Sequence, residues 1–88
     1  MNKNLYTIKF HHKVEKFLKF HVELRKRFLE KMELLTNGEF EKLDIIPLKG
    51  KNNHYRLRIG GYRFFCEIVD EILVIYFYDA DTRGDAYK

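Results

Sequence analysis

Arg56, Arg58 and Arg63 are the side chains of this sequence best suited to chemistry on an anion. A guanidinium group is a planar fork of donors that matches phosphate oxygens, whereas an ammonium group is a hydrated point charge. The three arginines fall on either side of Gly60-Gly61, between two runs rich in β-branched and aromatic residues, which is the strongest hairpin signal in the chain. A two-residue turn there pairs Ile59 with Tyr62, Arg58 with Arg63, Leu57 with Phe64 and Arg56 with Phe65. Because side chains alternate along a strand, Tyr55, Leu57, Ile59, Tyr62, Phe64, Cys66 and Ile68 share one face and form the core side. The other face carries Arg56, Arg58, Arg63, Phe65 and Glu67. Like charges directly opposite one another destabilise a sheet, so the facing Arg58 and Arg63 predict an anion between them.

A third strand over residues 72–78 follows a tight turn at Asp70-Glu71, with Leu73, Ile75 and Phe77 turned to the core and Tyr76 and Tyr78 to the arginine face. A two-residue turn sets Val74 opposite Glu67 and Tyr76 opposite Phe65. Arginines interleaved with Phe65, Tyr76 and Tyr78 can hold phosphates while the rings stack on bases, which suits RNA better than a small anion. Lys49 and Lys51 flank Gly50 in a turn with phosphate affinity; it is no P-loop, since the spacing and the following helix are missing.

These strands need a covering layer. Residues 5–10 alternate Tyr6, Ile8 and Phe10 with Thr7 and Lys9, as a half-buried strand does. Residues 11–37 carry Val14, Phe17, Leu18, His21, Leu24, Phe28, Met32 and Leu35 on one helical stripe. Periodicity alone allows one helix of roughly 25 residues, about 38 Å long. A break near His21, giving a helical hairpin, is the compact solution. Asn37-Gly38 stops the helix, and residues 39–47 read as a surface loop. The expected architecture is α+β: an N-terminal strand, a helical hairpin, then a three-stranded antiparallel meander.

Composition sets outer limits. At 88 residues, with 45% hydrophobic and 16% aromatic content, the chain is expected to form one packed domain over residues 1–88. The net charge of +4 favours polyanionic partners. From Lys49 onward there are four arginines and three lysines, before it two arginines and eight lysines, so the phosphate-fitting cations gather in the second half. The lone Cys66 cannot close an internal disulfide, which fits a reducing compartment, and no signal peptide or membrane-length apolar run is evident. A cytoplasmic location, with no membrane partner, is expected. His11-His12 lacks a second ligand pair at metal spacing, so no metal or cofactor is expected.

The ordered set of Leu48-Lys49-Gly50, Tyr55-Arg56-Leu57-Arg58, Gly61-Tyr62-Arg63 and Thr82-Arg83-Gly84-Asp85-Ala86-Tyr87 resembles the RelE/ParE superfamily of toxins from toxin–antitoxin modules, over nearly the whole chain. The resemblance implies a four-stranded antiparallel sheet made of the N-terminal strand and the meander. It further implies a metal-independent endoribonuclease that cuts messenger RNA on the ribosome, in which the 2′-hydroxyl attacks the adjacent phosphate. The partners implied are a cognate antitoxin protein and ribosome-bound mRNA, with no DNA contact by the toxin alone.

Carried over by motif, the basic pair on the first meander strand is Arg56 and Arg58, the arginine after Gly-Tyr is Arg63, and the C-terminal pair is Arg83 and Tyr87. Arg58, Arg63 and Arg83 are then candidates to stabilise charge on the phosphorane, and Tyr87 to orient the nucleotide. Relatives often have lysines at Arg56 and Arg58, and a guanidinium is a poor proton acceptor. The base is therefore open, with Tyr87, His54 and Glu67 as candidates. Thr82 stands where many relatives have histidine. Two other readings are a ParE-like inhibitor of gyrase, against which the arginine cluster counts, and an inert RNA-binding member of the superfamily.

Overall fold

A computed structural model describes residues 5–82. Strand β1 (Thr7–Phe10) leads into helix α1 (His12–Phe20), a single helical turn over Val22–Leu24, and helix α2 (Arg25–Thr36). After a second helical turn at Phe40–Lys42 come β2 (Ile45–Pro47), β3 (His54–Ile59), β4 (Tyr62–Val69) and β5 (Val74–Thr82). The fold is α+β, as the sequence pattern predicts.

The helical stretch breaks where expected. His21 leaves helical geometry at φ −125° and ψ 67°, and its Nδ1 lies 2.8 Å from the carbonyl oxygen of Phe17, occupying an acceptor the helix end would otherwise leave open. The ring also stacks on Phe17 at 4.1 Å between centroids. At the other end of α1, His11 is the N-cap, its Nδ1 accepting from the Lys13 amide at 3.0 Å. Its role is structural.

The sheet has five strands in the order β1-β5-β4-β3-β2, rather than the four expected. The stretch read as a loop supplies β2, which pairs antiparallel with β3. Three residues ending in proline are too short for an alternation signal, and Pro47 is tolerated because β2 is an edge strand. The sheet is also mixed: β1 runs parallel to β5, since the helical hairpin carries the chain across the sheet and back.

The β3–β4 register matches the expected one at every pair, including Arg58 opposite Arg63. The β4–β5 register does not. The turn takes four residues, with Asp70–Ile72 as a helical turn and Leu73 left-handed at φ 54°, so Val74 faces Val69 and Tyr76 faces Glu67. Leu73 is therefore 42% exposed and outside the core. A shift of two residues keeps Ile75, Tyr76 and Phe77 on their expected faces.

The helices cover one face of the sheet. Val14, Leu24, Phe28, Met32 and Leu35 from the helical layer meet Leu57, Ile59, Phe64, Cys66, Ile68, Ile75 and Phe77 in one buried cluster. Phe64 is fully buried, with its ring against Phe17, Phe28 and Phe77. Burying such a side chain contributes about 1.5–3 kcal/mol. The opposite face, where the arginines stand, takes no part in that cluster, and Lys13 of α1 reaches its edge through an ion pair with Asp79 at 3.6 Å.

Candidate functional site

The uncovered face is arranged in rows set by the register. Arg58 and Arg63 face each other, with Asp81 beyond them on β5. Arg56 and Phe65 make the next row, continued by Asp79, and His54, Glu67 and Tyr76 make the third. A β-bulge at Phe65/Cys66 separates the last two rows. Tyr78 is the extra residue there: Phe77 pairs with Cys66 and Asp79 with Phe65, leaving Tyr78 without a cross-strand partner. Bulges re-aim side chains, and this one returns Asp79 and Asp81 to the arginine face while turning Tyr78 towards His54.

The anion expected between the arginines is supplied from within the chain. Asp81 accepts two hydrogen bonds from Arg63, at 2.9 Å from Nε and 2.8 Å from Nη2. Asp44, just before β2, sits beside the other pair, 3.2 Å from Arg56 Nη2 and 3.8 Å from Arg58 Nε. The second distance is an ion pair but too long for a hydrogen bond. Its backbone carbonyl accepts from the Arg58 amide at 2.9 Å, which fixes Asp44 at that edge. Neither aspartate was legible as a partner, because one depends on β2 and the other on the bulge.

Two donors remain unmatched. Nε of Arg56 and Nε of Arg58 are shielded from solvent and make no hydrogen bond among the described residues. The Arg56 side chain as a whole is only 13% exposed. A charged donor out of water without an acceptor is costly, and such unmet groups concentrate where a ligand supplies the acceptor.

The aromatic residues divide. Phe65 lies beneath the Arg63 guanidinium, 5.6 Å from ring centroid to Cζ. Tyr78 is engaged by His54: Nδ1 and the phenol oxygen are 2.8 Å apart, and the rings meet edge-on at 5.3 Å. Burial, then the charges of Cys66, Asp79 and Glu67, push the Tyr78 phenol above its ordinary pKa. Tyr76 stands half-buried beyond Glu67. Lys49 and Lys51 are exposed on the turn between β2 and β3, outside the rows of the site. Arg83 and Tyr87 lie outside the described residues.

Cys66 falls on the core face, fully buried, with its thiol pushed up to about 12 by burial, so it is a packing residue. Among the described residues no cluster of three or more His, Cys, Asp or Glu side chains could hold a metal ion, and no helix is long and apolar enough to cross a membrane.

The architecture is thus a helical hairpin on one face of a mixed sheet whose other face gathers three arginines, a class of fold shared with known proteins. A chain of the archaeal RelE–RelB complex from Pyrococcus horikoshii is 29% identical, aligns over 91% of this chain and 97% of its own, and superposes with a TM-score of 0.75. A chain of the RelB–RelE antitoxin–toxin complex from Methanococcus jannaschii is also 29% identical, over 90% and 94% of the two chains, with a TM-score of 0.69. The Escherichia coli DinJ–YafQ toxin–antitoxin complex matches at 14% identity over 96% and 99%, with a TM-score of 0.72, a likeness of fold alone. The chain is RelE-like, as its sequence motifs imply. No protein-family model matches it, and none of the curated proteins does.

Proposed function

We propose that this protein is the toxin of a toxin–antitoxin module and acts as a metal-independent endoribonuclease on ribosome-bound messenger RNA. The observation that carries the reading is the convergence of Arg56, Arg58 and Arg63 on the uncovered sheet face, where the shielded Nε donors of Arg56 and Arg58 meet no acceptor among the described residues. A phosphodiester supplies such acceptors. In the reaction proposed, the 2′ oxygen bonds to the adjacent phosphorus, the bond from phosphorus to the 5′ oxygen breaks, and a 2′,3′-cyclic phosphate and a 5′-hydroxyl remain. Arg58 and Arg63, joined by Arg83, take the charge that builds on the phosphate oxygens. Phe65 and Tyr76 offer faces for bases. Tyr87 orients the nucleotide. The partner that restrains the activity is a cognate antitoxin, in keeping with the complexes of the two archaeal relatives.

The test is to incubate the purified protein with translating ribosomes and with naked RNA, and to map the new 5′ ends. Cuts that require ribosomes and fall sharply in Arg63→Ala support the reading. RNA binding without cuts points to an inert member of the superfamily, and gyrase inhibition without RNA binding points to the ParE-like activity.

A further inference from the structure

The arginines leave the reaction without a proton acceptor, since a guanidinium stays charged at any working pH. We propose that His54, held by Tyr78, takes the proton of the attacking 2′-hydroxyl. This rests on the nuclease reading above and assigns a residue to a step which that reading leaves open.

Placement comes first. His54 opens β3 and shares the outer face with Arg56, two residues on, and Arg58, two further. Residues two apart on a strand have Cα atoms about 6.5 Å apart, roughly the span of one ribose and its phosphate. A phosphate that satisfies the shielded Nε of Arg56 therefore brings the neighbouring ribose under the imidazole. No equally close placement is available from Tyr76, which lies two strands away in the same row.

The second point is how the ring is held. The bulge in β5 takes Tyr78 out of the ladder and sets its phenol oxygen 2.8 Å from Nδ1, with the ring edge-on to the imidazole. That contact fixes the ring plane and engages one nitrogen, leaving Nε2 for substrate. A phenol that keeps its proton is an amphoteric partner, able to accept from Nδ1–H or to donate to Nδ1. It serves the neutral and the charged ring alike, whereas a carboxylate there would favour the charged ring. The other groups facing His54 are Glu67, directly across on β4, Tyr76 beyond it on β5, and Arg56 on its own strand. The segment ending β2 presents Pro47 and Leu48, the latter donating its amide to the His54 carbonyl at 2.8 Å, and adds no charge.

The step balances within this set. Nε2 accepts the proton from the 2′ oxygen as that oxygen closes on phosphorus. The electron pair of the breaking bond leaves on the 5′ oxygen, which takes a proton from water, and the imidazolium returns its own to solvent.

Cleavage of a defined messenger on translating ribosomes, timed across about pH 5–8, tests the assignment. The wild-type rate should rise with pH along a limb set by an imidazole. His54→Gln should lose that limb and about 10²–10⁴-fold in rate. Added imidazole should restore cutting by His54→Ala, Tyr78→Phe should slow cutting because the ring loses the contact that holds it, and Glu67→Gln should keep the limb, which it would lose if Glu67 were the base. A His54→Gln protein that melts like wild type and cuts at the wild-type rate overturns the proposal, while cutting abolished by Arg63→Ala keeps the nuclease reading standing. A slower His54→Gln enzyme with the limb unchanged assigns His54 a structural role and also overturns it. Wild-type protein that never cuts brings down both.

Discussion

Arg63 and Asp81 face each other across β4 and β5, and the carboxylate accepts two hydrogen bonds from the guanidinium, at 2.9 and 2.8 Å. The carboxylate occupies the fork that an RNA phosphate would use. Their side chains are 31% and 45% exposed, so the pair is partly screened. Exposed pairs of this kind contribute ~0.2–1 kcal/mol. Asp81→Asn should therefore cost the fold no more than ~1 kcal/mol and strengthen binding of a non-cleavable 2′-deoxy oligonucleotide by up to about fivefold. Fluorescence anisotropy at fixed salt reads the change. Weaker binding would instead make Asp81 part of the RNA site.

Two buried or bonded groups make the protein sensitive to alkali. The Tyr6 phenol donates to Asp70 at 2.7 Å, and that bond, with burial and the Asp70 charge, raises it from 10.0 to about 12. Burial raises the Cys66 thiol from 9.0 to about 12. Both folded-state values lie above the unfolded ones, so the folded chain holds these protons longer. Their contribution is complete below pH ~9 and is lost as pH climbs towards ~12. Urea midpoints should fall over that window, and Tyr6→Phe should flatten the upper part of the fall. Iodoacetamide at mildly alkaline pH should label Cys66 slowly until the protein unfolds, because the reactive species is the thiolate. Labelling as fast as a free thiol would contradict a buried Cys66.

The β3–β4 hairpin was readable because Gly60-Gly61 fixes the turn and alternation then fixes every pair through Arg56 and Phe65. The break at His21 was readable too, since an unbroken helix is too long for so small a sheet. β2 was hidden because a three-residue edge strand has no period, and its pairing is set by β3 rather than by its own residues. The bulge at Phe65/Cys66 was hidden for a related reason: an extra residue in a ladder leaves no mark in an alternating sequence. The partners missed at the site follow from those two features, and the pairing of Tyr76 with Glu67 follows from the four-residue turn before β5. Asp44 reaches Arg56 through β2, while Asp81 reaches Arg63, and Tyr78 reaches His54, through the bulge.

Gly60 makes the hairpin turn at φ +60°, in the left-handed region where a Cβ is unfavourable. A Cβ there would also stand 2.7 Å from Nη1 of Arg27, the far end of a flexible side chain. Gly60→Ala should destabilise the fold by about 1–2 kcal/mol, mostly through the backbone. Adding Arg27→Ala should recover only a small part of the loss in urea denaturation. Recovery of most of it would mean that the guanidinium, rather than φ, sets the cost.

Arg58 lies directly opposite Arg63, and the like charges are offset by Asp44 on one side and Asp81 on the other. Removing Asp44 leaves Arg56, with its side chain 13% exposed, without the carboxylate that accepts from its Nη2. Asp44→Asn keeps an amide oxygen that can accept from Nη2 but removes the charge, and should lower stability by about 1 kcal/mol. An oxyanion able to enter the face should restore what the carboxylate supplied. Thermal melts in phosphate should therefore rise more for Asp44→Asn than for wild type, while chloride at equal ionic strength should raise both alike by screening. If chloride restores the variant as well as phosphate does, the arginines feel only the general ionic atmosphere and the face has no built affinity for phosphate. If phosphate alone restores it, the position that Asp44 holds in the free protein is one a phosphodiester oxygen can take.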